Sequence, residues 1–501
     1  MHVLDGLGPQ DPLNRFDHTQ ESTSSYDHPF FGQLFLASVL SIINYPYSFI
    51  SDNALGSVQN LYLVPRIVIG ILAIFDTFLV YKIADIRYNR NVAFIASILF
   101  ALMPLTWLLS RIVLDSILLP FLLMSILFAV YCNKLHDRDH RKGYSVTLLA
   151  LVSGIFLGIA ILTKLPAVTM IPLIVFLICG NFRYNRIKNL KLLGKWFIPV
   201  ILIPIIWPAY SISTGQFDEW LGGVVWQATE RQEERGLIFA FNVLWDIDPL
   251  LLLLGISGII FASIKKDFFF VLWFIPYLVL VYYVGWVTHF HWIVVFPVFC
   301  IASSFFILNL PKTIASRAIY TKIPRPVFRQ LLIFSLFFVT VGFGLTSTAM
   351  MISADVSSHQ IKTAEFILEK VKTVTQNINS SNINGIANKS YVTIISSPMY
   401  SWLFMYPFKE IYVLSWFRDS SQPIQTQKVL LAVDQFYKGW IKRESGEERR
   451  QIQLINTIHN QTNVTREFKA PEITYDKDAY PFTGLGQGRI GASDVEVRTN
   501  Y

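Results

Sequence analysis

Ten stretches of this chain are apolar for long enough to cross a hydrocarbon layer, near residues 62–82, 93–110, 115–132, 145–163, 166–180, 196–213, 248–264, 268–285, 290–308 and 331–352. A helix spans about 30 Å of hydrocarbon with about 20 residues, and nothing but helices or closed barrels satisfies its own backbone there. The chain therefore reads as a polytopic α-helical membrane protein of about ten spans. Composition agrees, with 53% hydrophobic and only 15% charged residues and a mean hydropathy of +0.45, far from the soluble average.

Cations set the orientation, because Lys and Arg are retained on the cytoplasmic side of short loops. One set of loops carries Lys82, Arg87 and Arg90, then Lys134, Arg138, Arg141 and Lys142, then Arg183, Arg186, Lys188, Lys191 and Lys195, then Lys265 and Lys266, and last Lys312, Arg317, Lys322, Arg325 and Arg329. The alternate loops hold only Arg111, Lys164, Arg231 and Arg235. The first set faces the cytoplasm and the second faces outward. The net charge of +8 is thus a consequence of topology and calls for no nucleic-acid partner.

This parity places residues 1–61 outside, although no signal peptide is visible. Residues 31–50 read as a helix lying in the interface rather than as another span, and an upstream first span, absent from this sequence, is expected. Residues 62–352 form the membrane domain. Residues 353–501 change to Ser, Asn, Thr, Lys and Glu and read as a small extracytoplasmic α/β domain. It has an amphipathic helix over 358–376, strands at 391–396, 411–416 and 428–434, and a further helix after them. Sequons at Asn379, Asn388, Asn460 and Asn463 suit an external surface. The last 25 or so residues, with Gly484, Gly486, Gly488 and Gly491, read as poorly ordered. Cys132, Cys179 and Cys300 all fall in or beside apolar runs, which excludes a disulfide framework.

Ionisable groups in or beside spans are costly and mark function. Five places qualify, and the topology puts all of them at the outer face: Asp27-His28-Pro29, Arg66, Arg111 with Asp115, Thr163-Lys164, and His289-Phe290-His291. Each also has a plainer reading. Arg111, four residues before Asp115, fits a helix-end ion pair, and Lys164 fits a side chain snorkelling to the interface. Asp76, in the middle of ILAIFDTFLV, fits a structural acid.

The order DHPFFGQ, LVPRIVIGILAIF, ALMPLTWLLSRIVLDSILLPF, GIAILTKLPAVTMIP, THFHWIVVFPVF resembles the integral-membrane sugar transferases of the protein O-mannosyltransferase and aminoarabinose-transferase superfamily, the GT-C fold, over roughly residues 26–310. His28-Pro29-Phe30-Phe31-Gly32 departs from that family's His-Pro-Pro-Leu-Gly at the second Pro and the Leu. The resemblance implies an inverting glycosyltransferase that moves a sugar from a polyprenyl phosphate, such as dolichyl phosphate, to a protein, lipid or glycan hydroxyl. Displacing a phosphate at an anomeric carbon needs a carboxylate base for the acceptor and cations for the leaving group. The family's base maps by count onto Asp5, which is followed by Gly6 and not by a second acid. Asp27 is the other candidate base. Asp115 matches the second acidic position, with a role in orienting the acceptor or in holding a divalent metal such as Mg or Mn. His28, Arg66, Arg111, Lys164, His289 and His291 are the candidates for the donor, and Arg235 for its lipid or sugar. A transporter or lipid-carrier flippase, or an inactive scaffold for a glycosylation complex, is the alternative. The membrane is that of a prokaryote, archaeal by the lack of external disulfides, or the endoplasmic reticulum.

Overall fold

The structure is a computed structural model that describes residues 26, 28–45, 47–49, 54–109, 112–138, 143–179, 186–229, 237–284, 289–317, 324–353, 358–381, 392–396, 400, 403–404, 411–415, 428–434, 456–469 and 494–501. It divides into two compact units, one of residues 19–35 and 66–353 and one of residues 1–18, 36–65 and 354–501.

All ten apolar runs fold as helix. After α1 (Phe31–Ile42) come α2 (Ala54–Arg87), α3 (Arg90–Leu102), α4 (Pro104–Leu109), α5 (Leu114–Arg138), α6 (Gly143–Thr163), α7 (Ile171–Cys179) and α8 (Arg186–Ser213). They are followed by α9 (Phe217–Thr229), α10 (Leu237–Ile247), α11 (Pro249–Ile264), α12 (Phe269–Val284), α13 (Phe296–Arg317) and α14 (Arg325–Ser353). Among the described residues, six helices are long and apolar enough to cross a membrane: α2, α5, α6, α8, α13 and α14. The four other expected runs are shorter apolar helices: α3, the stretch Leu165–Cys179, α11 and α12. Local chemistry sets these breaks. Pro104 disfavours helix at Met103 and separates α3 from α4. Asn89 caps α3 by accepting from the Asn91 and Val92 amides, and Asp248 caps α11 by accepting from Leu251 N, with Pro249 at the first turn. α1 has 12 residues, too few to cross a hydrocarbon layer. It ends at Asn44, whose φ of 55° is a left-handed conformation that Asn tolerates.

The membrane unit is layered by exposure. In α5 and α13, 78% and 72% of the most apolar stretch is buried, against 22% in α8 and α14, so α5 and α13 are central. The outer helices instead present Ile67, Ile71, Ile74, Ile198, Ile201, Phe334 and Phe338 outward, the surface lipid tails would cover. Where helices meet, small residues let backbones touch. A Cβ on Gly158 would lie 2.7 Å from Pro199 O, and one on Gly258 only 2.2 Å from Ala302 O. Buried hydroxyls add polar links, as where Ser125 Oγ donates to Ser153 O at 2.7 Å and Ser153 Oγ to Ser125 O at 2.9 Å. At one end of this unit Arg87 Nη2 donates to Asp267 Oδ1 at 2.9 Å and Tyr88 OH to Asp267 Oδ2 at 2.8 Å. Two of the cation-rich loops therefore share one end. The three cysteines are free and buried.

The second unit carries a five-stranded sheet of order β2-β1-β3-β5-β4, built from β1 (Val392–Ser396), β2 (Ile411–Ser415), β3 (Lys428–Val433), β4 (Asn463–Phe468) and β5 (Val495–Thr499). β1 runs parallel to β2 and β3, while β5 is antiparallel to β3 and β4. The amphipathic helix α15 (Ser358–Ser381) packs Ala364, Ile367, Leu368, Val371 and Val374 on it in one core with Leu40, Val58, Leu61, Ile394, Leu430, Ala432, Val495 and Val497. The expected α15, β1, β2 and β3 are present. β5 corrects the expectation of a poorly ordered end, because it is an inner strand with Val495, Val497 and Thr499 buried. The four C-terminal glycines and most of the helix expected after β3 lie outside the described residues.

Candidate active site

Asp115 is the second residue of α5, where the helix N-terminus favours an acid, and it is 1% exposed. Lys164 follows the last residue of α6 in extended backbone, ahead of a 3-10 turn, Leu165–Met170, that Pro166 forces by disfavouring helix before it. That break turns the Lys164 side chain inward, and it is 4% exposed. Its Nζ donates to Asp115 Oδ2 at 2.6 Å. Asp115 Oδ1 has no hydrogen-bond partner among the described residues. A buried carboxylate is thus held by one cation through one oxygen, while the other oxygen is available.

The His-Pro-Phe-Phe-Gly segment lies against this pair. A Cβ on Gly32 would sit 2.7 Å from Leu114 Cδ2 and 3.0 Å from Thr163 Cγ2, side chains adjacent in sequence to Asp115 and Lys164. A side chain there would require Leu114 to shift. Phe31 meets Phe121 of α5 edge to face with ring centroids 5.5 Å apart. Tyr26, buried with Leu162 and Trp207, donates its hydroxyl to Gln216 Oε1 at 2.7 Å, and Trp207 and Trp220 stack edge to face at 5.7 Å. His28 is half-buried beside them.

A fourth element closes the site. The 3-10 turn His289–Val295 before α13 is pinned by α12, where Tyr277 OH donates to His291 O and Trp273 Nε1 donates to Val294 O at 3.0 Å. Tyr277 is 1% exposed and within electrostatic reach of Asp115. His291 is half-buried.

Of the residues singled out in the sequence, the fold gathers Asp115, Lys164, the segment after His28 and the turn bearing His291. Lys164 is buried and bonded to Asp115, which does not fit a side chain snorkelling to the interface. Arg66 is exposed on α2. Asp5, Asp27, Arg111, Arg235 and the side chain of His289 lie outside the described residues. The sequence reading passed over Tyr277, whose bond to a backbone carbonyl leaves no motif. It also assigned no role to Gln33, 1% exposed with both amide atoms unpartnered among the described residues. For a divalent metal, the described residues offer a single free carboxylate oxygen beside an ammonium, and no group of three or more His, Cys, Asp or Glu among them could hold one.

Residues 14–214 match the family model described as dolichyl-phosphate-mannose-protein mannosyltransferase. No curated protein matches. Among solved structures, ArnT from Cupriavidus metallidurans bound to undecaprenyl phosphate superposes with a TM-score of 0.50 at 11% identity, covering 95% of this chain and 88% of that one. The chain shares the fold of that membrane protein. The oligosaccharyltransferase from Archaeoglobus fulgidus tethered to an acceptor peptide matches at 12% identity with a TM-score of 0.44, over 83% of this chain. The same archaeal enzyme with an inhibitory peptide and a dolichol-phosphate matches at 11% and 0.41, over 82%. The chain spans about 59% of the length of those two archaeal chains. The family match includes α1 to α8 and therefore Gly32, Asp115 and Lys164, and it agrees with the superfamily that the sequence resembles. The chain is an integral, multi-pass membrane protein.

Proposed function

We propose that this protein is a glycosyltransferase that moves a sugar from a polyprenyl-phosphate donor to a hydroxyl acceptor at the outer face of a prokaryotic membrane. The observation that carries this reading is the buried Asp115–Lys164 pair, with Asp115 Oδ1 unpartnered among the described residues. Attack of a hydroxyl on an anomeric carbon forms the new C–O bond, breaks the bond to the phosphate oxygen, and releases one proton from the nucleophile. Asp115 Oδ1 is placed to orient that hydroxyl and accept its proton. Lys164, bonded to Oδ2, aims the carboxylate. The departing phosphate needs donors, for which His28, His291 and Arg66 are the described candidates, and Arg111, Arg235 and His289 the others. Asp27 and Asp5 remain the alternative bases. Protein, lipid and glycan hydroxyls all have the required nucleophile.

The test is transfer of radiolabelled mannose from a mannosyl-phosphoryl polyprenol to membrane acceptors, with the purified chain in proteoliposomes. Product that depends on both donor and protein is the expected result. No product from any of several polyprenyl-phosphate sugars would overturn the reading. Within that assay Arg66→Ala is expected to raise the apparent KM for donor by about tenfold with little change in acceptor KM. Equal changes in both constants would remove Arg66 from donor binding.

A further inference from the structure

Asp76 stands at mid-length of α2 with apolar neighbours in sequence, and it is 4% exposed. Its Oδ1 has no hydrogen-bond partner among the described residues. A buried polar atom without a partner is costly, so such an atom in a folded interior points to a ligand. Asp76 also lines a cavity of about 20 Å³ with Thr106 of α4, Ser116 of α5 and the apolar Phe100, Ile293 and Phe296. One water needs about 10–15 Å³ and two to four polar partners. The cavity has that size, and three polar side chains face it.

We infer that this cavity is a binding site for a single internal water that bridges Asp76 to the hydroxyls of Thr106 and Ser116. The donor count supports the bridge. Thr106 Oγ1 already donates to Met103 O at 2.8 Å, so towards the cavity it accepts. A water that donates one proton to Thr106 Oγ1 and the other to Asp76 Oδ1 satisfies both. Ser116 follows Asp115 in the first turn of α5. The water therefore ties α2 and α4 to the turn that aims the Asp115 carboxylate, and Asp76 is a positioning residue for Asp115. What the bridge needs from residue 76 is a hydrogen-bonding side chain of that length and not a charge.

Two arms test this. A cryo-EM map of the wild-type protein at a resolution that shows ordered waters is expected to place one within hydrogen-bond distance of Asp76 Oδ1. A protein group bonded to that oxygen, or no density there, overturns the site. This arm is independent of the proposed activity. The second arm rests on that activity. Asp76→Leu is expected to lower kcat for sugar transfer by about tenfold or more, with smaller changes in both KM values, because misaiming a reactive group is costly. Asp76→Asn, which keeps a carbonyl oxygen, is expected to restore kcat to within a few-fold of wild type. An Asn variant as impaired as Leu, or a Leu variant with full turnover, overturns the positioning role. Should Leu prevent folding, the Asn variant and the map still decide. Absence of transfer by the wild-type protein, with the water present, counts against the proposed function alone.

Discussion

Asp115→Asn is expected to reduce sugar transfer by about 10²–10⁴-fold, the range a positioned acid or base contributes. The same change takes the Asp115 carboxylate away from Lys164, which is 4% exposed and ion-paired to it. Breaking a buried pair from one side costs about 3–5 kcal/mol, since the remaining charge is uncompensated. Lys164→Met should be destabilised for the mirror-image reason. A double variant, Asp115→Asn with Lys164→Met, has no orphaned ion and is expected to recover most of the lost stability while staying inactive. Thermal unfolding in detergent and the transfer assay, run on all four proteins, separate the two roles. Full turnover by Asp115→Asn would remove Asp115 from the chemistry. A double variant no more stable than the singles would mean that the pair is not the electrostatic unit described.

The largest structural effect is expected at Gly258. Any Cβ there meets Ala302 O at 2.2 Å and Ala302 C at 2.4 Å. Both are backbone atoms of α13, so no rotamer change relieves the clash, and α11 must separate from α13. Overpacking costs about 1–3 kcal/mol where side chains can yield, and Gly258→Leu should exceed that range. Little or no monodisperse protein is expected on size-exclusion chromatography. Gly70→Leu and Gly342→Leu are the controls, because a Cβ at either site meets nothing within 4 Å, and both should purify like wild type. Normal yield from Gly258→Leu would show that α11 and α13 are not packed backbone to backbone.

How much of this was legible follows from range. The apolar runs and the strands VTIIS, IYVLS and KVLLAV carry their own local signal, and each became the expected element. β4, Asn-Val-Thr-Arg-Glu-Phe, buries only Phe468, so it shows no apolar alternation to read. β5 does alternate, with Val495, Val497 and Thr499 inward and Glu496 and Arg498 between them, but it follows a glycine-rich stretch that suggested a loose end. At the site, Asp115 and Lys164 were both visible as costly charges beside spans. Their pairing was not, because the partner is 49 residues away and Arg111 offered a nearer one. Gly32 was visible as part of a motif, yet its reason, close approach to Leu114 and Thr163, exists only in three dimensions.

The unit that bears the sheet is assembled from distant parts of the sequence. Leu40, Val58 and Leu61 share one core with Ile367, Leu430 and Val497, and residues 66–353 intervene. Closing so long a loop delays the contacts that stabilise it. During synthesis the early segment must wait, its apolar face uncovered, until every intervening helix has been inserted and the late strands have emerged. Completion of this unit therefore reports that the membrane-embedded part has already been threaded, and a ribosome stalled midway would leave a surface that quality-control proteases can read.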